Sequence, residues 1–150
     1  HHGFEFHDWP NGRFATTTIV GTRAGGAIAG AWALFQYLGR DGYTRIADEL
    51  LGGIELLRGG VAEIDGLAVL GRPEVSIVAI GADDVDIFRV AEHMRGAGWV
   101  PGLLQQPKAL HRMMSMLHVA SMPDYLTDLA AATEKTRSED ATASALRAEY

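Results

Sequence analysis

From Ala24 to Leu38 the chain carries fifteen residues with no charge and a single Gln, flanked by Arg23 and by "GRDG". This run reads as a buried helix that starts near Arg23 to Gly25 and ends at Leu38. Gly39 supplies the left-handed residue that closes it. "GRDG" is a short connection to a second helix, predicted from Tyr43 to about Arg58. There Ile46, Leu50, Ile54 and Leu57 recur at steps of four, four and three, one amphipathic face, and Gly59-Gly60 ends it. Ahead of both helices, residues 1–20 read as extended or looped around a Pro10-Asn11-Gly12 turn.

Beyond Gly60 the period changes. "LAVLG" (67–71) and "EVSIVAIGA" (74–82) are short β-rich runs separated by the turn Gly71-Arg72-Pro73. Asp83 resembles an N-cap with Asp86 as its acidic partner, opening a helix of about 84–96 that places Ile87, Val90, Ala91 and Met94 on one face. Gly96 and Gly98 close it. "WVPGLLQQ" (99–106) and "HRMMSMLHV" (111–119) read as two further strands about a turn at Pro107. Ser121-Met122-Pro123-Asp124 starts a last helix that packs through Tyr125, Leu126 and Leu129. From Glu134 the chain is polar and is expected to fray. The order is two helices followed by ββαββα, which predicts a small antiparallel sheet covered on one face by helices. Nothing in that sheet requires the first helix, which is expected to meet something outside the domain.

Composition narrows the function classes. The 150 residues carry 13 Lys and Arg against 19 Asp and Glu, a net charge of −6, and the basic residues are scattered, so no footprint for nucleic acid is present. There is no cysteine, which excludes disulfides, zinc–thiolate sites and a cysteine nucleophile. That fits a reducing, cytoplasmic setting. The opening "HHGFEFHDWPNGRF" lacks the apolar core of a secretory signal. The apolar run of residues 24–38 is shorter than the roughly twenty residues a membrane span needs.

Few residues suggest chemistry. "VGTRAGG" at a helix start can hold an anion, because free backbone N–H groups and the helix dipole favour negative charge there, while Thr22 adds a hydroxyl and Arg23 a cationic fork. It is neither a P-loop nor GxGxxG after a strand. Gly26 and Gly30 form a GxxxG spacing suited to close packing, including between subunits. His1, His2, His7 and Asp8 have loose spacing for a metal. His111 and His118 lie on opposite faces of a predicted strand and share no ligand. Met113, Met114 and Met116 read as core filler, and helix capping accounts for Asp83, Asp84 and Asp86.

The stretch "DWPNGRFATTTIVGTRAGGAIAGAWALFQYLGRDGY" resembles a segment of the sphingosine-1-phosphate lyases and of the wider pyridoxal-phosphate-dependent group II decarboxylases. That segment reads roughly D-W-x-G-G-x-Y-x-S-P-T-x-x-G-S-R-P-G, then a tryptophan-bearing helix, then G-x-x-G-Y. The matching residues are Asp8, Trp9, Gly12, Thr18, Gly21, Arg23, Gly25, Trp32, Gly39, Gly42 and Tyr43. "VSIVAIGADDVDIFRVAEHMRGAGW" and "LQQPKALHRMMSMLH" look like the family's following strand, helix and strands. Phe14, Thr17, Thr22 and Ala24 depart from the pattern, and Thr22 keeps the hydroxyl of the serine it replaces. "ALRAEY" loosely resembles a tyrosine-bearing family segment, at Tyr150.

What the resemblance implies is a C-terminal part of a fold-type I pyridoxal-phosphate enzyme, α/β in class with an α+β small domain. Residues 1–60 would be a loop and two interface helices reaching the large domain, 61–133 the small domain and 134–150 a polar tail. Gly21, Thr22 and Arg23 would contact the phosphate of pyridoxal 5'-phosphate, in a site shared across a homodimer. The family's Schiff-base lysine lies upstream in an H-K motif. No such pair occurs here, and neither Lys108 nor Lys135 matches it, so no catalytic residue and no metal site is assigned. The implied reaction is retro-aldol cleavage of a phosphorylated sphingoid base. An amino-acid decarboxylase fragment, or a non-catalytic domain dimerising through Gly26 and Gly30, are the other readings.

Overall fold

A computed structural model describes residues 3–8, 10–18, 20–139, 144 and 146. It divides into two compact units, His1–Asp41 and Gly42–Tyr150. In the first, strands β1 (Phe4–Phe6) and β2 (Phe14–Thr16) pair antiparallel as a hairpin, with Phe4 opposite Thr16 and Phe6 opposite Phe14. The intervening turn passes through Pro10-Asn11-Gly12, where Gly12 takes φ 98°. Thr16 and Thr18 then fold the chain toward the helix: the Thr16 hydroxyl donates to the Thr18 carbonyl at 3.0 Å, and the Thr18 hydroxyl to the Val20 carbonyl at 2.6 Å.

Helix α1 (Gly25–Ala62) begins where the sequence places it and breaks at Gly39, whose φ of 59° and ψ of −172° are non-helical. A side chain there would be strained, so glycine is the residue that lets two helices share one span. The connection is tighter than "GRDG" suggests, since only Gly39 leaves the helical conformation. The second arm also runs past Gly59-Gly60 to Ala62. Gly60 is there for packing: a Cβ on it would overlap the side chain of Leu126. Ile54 and Leu57 are buried on the expected face, with Leu50 packed against them.

The second unit is built on a four-stranded antiparallel sheet, β3 (Leu67–Leu70), β4 (Ile77–Ala82), β5 (Gly102–Gln105) and β6 (Lys108–Met113), in the order β3-β4-β6-β5. Ile80 lies between Val69 and Leu110, and Leu110 opposite Leu103, so one face carries a continuous apolar stripe. The second arm of α1, helix α2 (Ile87–Gly96) and helix α4 (Met122–Ser138) close over it. Ile54, Leu57, Val61, Phe88, Val90, Met94, Tyr125 and Leu129 complete the core.

Four local expectations change. Helix α2 starts at Ile87 because Asp86, and not Asp83, is its cap: the Asp86 carboxylate accepts from the Phe88 N–H at 2.9 Å. The run "HRMMSMLHV" is not one strand. It breaks at Ser115, whose N–H donates to His118 Nδ1 at 2.9 Å, and Met116–Val119 form the short helix α3. Met114 is buried, whereas Met113 is 59% exposed and is not core filler. The polar stretch from Glu134 continues as helix to Ser138, where Arg137 bonds Asp84 at 3.1 Å and the Asp65 carbonyl at 2.9 Å. Among the described residues no helix is long and apolar enough to cross a membrane.

Asp86 ties several segments together. It also accepts from Lys108 Nζ at 2.6 Å and from the Ser144 N–H at 3.2 Å. Burial alone pushes its carboxyl up, but the Lys108 ammonium and the two N–H donors outweigh that and hold it below the usual 3.8. A carboxyl depressed on folding stabilises fully above its unfolded value, and the contribution is lost as pH falls through the lower folded value. Asp86→Ala is therefore expected to cost about 1–2 kcal/mol at neutral pH, the value of a cap. Urea midpoints of the wild type and variant should converge as the pH drops below 3.8. A gap that persists in acid would show that the carboxylate charge is not what stabilises the cap.

Candidate functional site

The sequence-predicted anion loop lies in the first unit, between the Thr16–Thr18 turns and α1. Gly21, Thr22, Arg23 and Ala24 are irregular and exposed, and α1 begins one residue later. The first turn of any helix leaves N–H groups without intrahelical partners, so uncommitted donors stand at this point. Arg23 forms no hydrogen bond or ion pair among the described residues, unlike Arg13, Arg58, Arg89 and Arg137, which all bond carboxylates. A Cβ at Gly21 would meet nothing within 4 Å. The loop thus offers a hydroxyl, a free guanidinium and a helix entrance to solvent, a donor set that suits a phosphate.

The helix behind the loop is equally uncovered. Ile28 and Trp32 are each 65% exposed, Phe35 59% and Tyr37 86%. Apolar side chains point in every direction from this arm, a pattern that belongs to a helix surrounded by protein. Gly26 and Gly30 meet nothing that would explain their small size.

In the second unit the two lysines are accounted for. Lys108 Nζ is 2.6 Å from Asp86 Oδ1 and 4.7 Å from the centre of the Phe88 ring. An ion-paired ammonium at a strand start is no nucleophile, which requires a neutral amine. Lys135 sits exposed in the last turns of α4. The acidic groups are used structurally: Glu139 pairs with Arg89 at 2.7 Å and lies 3.1 Å from His93. Burial raises the Glu139 carboxyl, and Arg89 and His93 more than reverse this. His111 and His118 are not on one strand, as His111 belongs to β6 and His118 caps α3. His7 lies 3.2 Å from Glu5. His1, His2, Trp9 and Tyr150 lie outside the described residues.

One residue escaped the sequence reading. Arg112 on β6 is only 8% exposed, with its guanidinium 4.5 Å from the Tyr125 ring centre and 5.6 Å from that of Trp99. Its Nε and Nη2 are buried without hydrogen-bond partners. The available signal was a lone cation at an inward position of an apolar strand, opposite Val78.

No family model matches the chain. It is 37% identical over 130 residues to the sphingosine-1-phosphate lyase of Arabidopsis thaliana, covering 87% of this chain and 24% of that protein. The solved sphingosine-1-phosphate lyase of Burkholderia pseudomallei superposes with a TM-score of 0.80 at 33% identity, over 90% of this chain and 31% of that one. Glutamate decarboxylase of Lactobacillus brevis superposes with a TM-score of 0.69 over 93% of this chain and 34% of that one, at 14% identity, a likeness of fold alone. The fold is that of the C-terminal part of fold-type I pyridoxal-phosphate enzymes: helices followed by a small antiparallel sheet. Within that class the chain is homologous over most of its length to sphingosine-1-phosphate lyases, at 30–38% identity. It spans about a quarter of the length of the curated relatives it matches. Relatives named "Probable L-tyrosine/L-aspartate decarboxylase" match as well.

Proposed function

We propose that the chain is the C-terminal segment of a pyridoxal-phosphate-dependent carbon–carbon lyase that cleaves a phosphorylated sphingoid base to phosphoethanolamine and a fatty aldehyde. The observation that carries the reading is homology along nearly the whole chain to lyases about four times its length. The bare apolar arm of α1 supports it, since such a helix is expected to lie against a large domain and a partner subunit of a cytoplasmic homodimer. The segment is not catalytic alone, because Lys108 is committed to Asp86 and the amine that binds the cofactor would lie upstream.

Gly21, Thr22 and Arg23 fit the cofactor phosphate. Thr22 would donate its hydroxyl, Arg23 its unpaired guanidinium, and Gly21 would let the backbone approach closely. When bound, pyridoxal phosphate supplies an electron sink for the charge that develops as the Cα–Cβ bond of the substrate breaks. The residues of this chain contribute binding and orientation, with no proton transfer assigned to them. A decarboxylase reading is favoured by the decarboxylase relatives, and the product decides between the two: aldehyde or carbon dioxide.

In the longer polypeptide, Arg23→Ala and Thr22→Ala are each expected to loosen the cofactor about tenfold, the lower end for a hydrogen bond to a charged group. Equilibrium dialysis of the cofactor measures this. Wild-type affinity in both variants would remove the loop from the site. The 150-residue chain alone should develop no cofactor–lysine absorbance band, and a band fixed by borohydride on Lys108 or Lys135 would overturn the reading.

A further inference from the structure

Helix α3 is a single turn, Met116–Val119, between β6 and α4. One turn fixes several dihedral angles for very few internal hydrogen bonds, so it does not hold itself together. Two contacts hold this one. Val119 packs where α1 has Gly53: a Cβ on that glycine would stand 3.1 Å from a Val119 methyl and 3.2 Å from Met114 Cε. At the other end is a cap. The Ser115 N–H donates to His118 Nδ1 at 2.9 Å, and the His118 N–H returns a bond to the Ser115 carbonyl at 2.9 Å. The Ser121 hydroxyl donates to the His118 carbonyl at 3.2 Å, which links the turn to the start of α4.

The third position of a capped helix usually belongs to Glu or Gln, whose side-chain oxygen accepts the N-cap N–H. An imidazole nitrogen accepts only while it carries no proton. His118 therefore caps α3 as the neutral ring, with its hydrogen on Nε2. A proton on Nδ1 would set one N–H against another and abolish the bond. The Ser115 hydroxyl, 3.2 Å from the same nitrogen, would accept from the protonated ring, but the backbone N–H would then be left without its acceptor. Histidine is the side chain whose charge changes between about pH 5 and 8.

The elements around α3 supply no counter-ion for a charged ring. Along α1, Glu49 lies one turn before Gly53 and Glu55 two residues after it, Glu74 precedes β4, and Asp124 opens α4; all four are exposed. On β6, Arg112 is turned onto the Tyr125 ring and His111 lies against Gly102. Among the described residues the histidines that pair with carboxylates are His7 and His93, and His118 is not one of them.

We propose that α3 is a pH-operated latch, ordered and docked on Gly53 while His118 is neutral and released when the ring takes up a proton. Release loosens the link between the sheet and α4 and uncovers Gly53 and Met114, both buried in the closed form. The neutral ring carries the stabilising contact, so the latch is closed at the upper end of the range in which histidine titrates and opens as pH falls through it. The latch does not depend on the lyase reading.

Nuclear magnetic resonance of the 150-residue chain tests it. Amide exchange at Ser115 and His118, corrected for the pH dependence of the intrinsic rate, reports the cap, and the Val119 methyl signals report docking. Between pH 7.5 and pH 5.5 protection should fall about tenfold, the size of a lost cap, as the methyl signals move toward their unfolded positions. His118→Gln keeps an acceptor that does not titrate and should retain its protection at both pH values. His118→Ala should be poorly protected at both. Undiminished protection of the wild type at pH 5.5 would overturn the proposal. So would an acid loss shared by His118→Gln, which would assign the titration to another group, or full protection in His118→Ala, which would remove the ring from the cap.

Discussion

Phe88→Ala is expected to lower the unfolding free energy of the Gly42–Tyr150 unit by about 3–5 kcal/mol, the usual cost of removing a buried ring. Phe88 is 1% exposed, in the first turn of α2, packed with Ile87, Val90, Ala91 and Met94 into the core beneath the sheet. Its neighbours hang on rigid elements: α2 is capped by Asp86, and β6 is held on both edges. The vacated space therefore cannot collapse fully, and the cavity adds to the lost transfer energy. Domains of this size hold only about 5–15 kcal/mol in all, so a third or more of the stability is at stake. The ring also lies under the Lys108 ammonium. Phe88→Leu, which keeps most of the volume, should cost under about 1.5 kcal/mol. Urea unfolding followed by far-ultraviolet circular dichroism measures both. A loss below 1 kcal/mol for the alanine variant, with an unchanged denaturant slope, would place the ring outside the core.

Helix α2 illustrates what periodicity can read and what it misses, since Phe88 is buried without having been expected there. The expected face of α2 came from Ile87, Val90, Ala91 and Met94, and all four are buried. Gly39 was legible for a similar reason: a glycine after a long apolar run has few roles besides ending it. Gly59-Gly60 looks the same locally and means something else, because Leu126, far along the chain, needs the room beside Gly60. Sequence pattern sees the lost helix propensity and not the neighbour that compensates for it. Likewise "HRMMSMLHV" is apolar enough for one strand, and only the reciprocal bonding of Ser115 and His118 turns its second half into helix.

The candidate site was less legible than the fold. Thr22 and Arg23 have no intrinsic signature, since a hydroxyl and a cation before a helix are common. A helix-entry loop with those groups reads only as a general anion site, and the resemblance spanning Asp8 to Tyr43 is what points it to a cofactor phosphate. The structure leaves Arg23 unpaired in solvent, as a residue waiting for an anion would be, but exposure by itself carries no such meaning. The apolar arm behind the loop was written in the composition of its segment, where one Gln is the only polar side chain among fifteen residues.

Arg112→Met is expected to stabilise the same unit by about 2 kcal/mol. The arginine gains attraction from two rings, about 2 kcal/mol for a desolvated cation–π contact. Against this stand Nε and Nη2, buried and unbonded, each unmade hydrogen bond costing about 1–3 kcal/mol. Methionine keeps the length of the stem, meets Trp99 and Tyr125 with its sulfur, and leaves no donor unsatisfied. Replacing buried charges by apolar residues of similar volume is often stabilising by about 1–4 kcal/mol. Arg112→Ala should not gain in the same way, since it opens a cavity beside Tyr125. Alkaline pH provides an independent readout. Burial raises the Tyr125 phenol above 10, and the Arg112 charge partly opposes that. A phenol that holds its proton more tightly when folded costs stability as pH climbs through its unfolded value. Without Arg112 the opposition vanishes, so the advantage of Arg112→Met should shrink steadily above pH 10. A variant that is less stable than wild type at neutral pH would mean that the rings, and not the orphaned donors, decide the balance at this position.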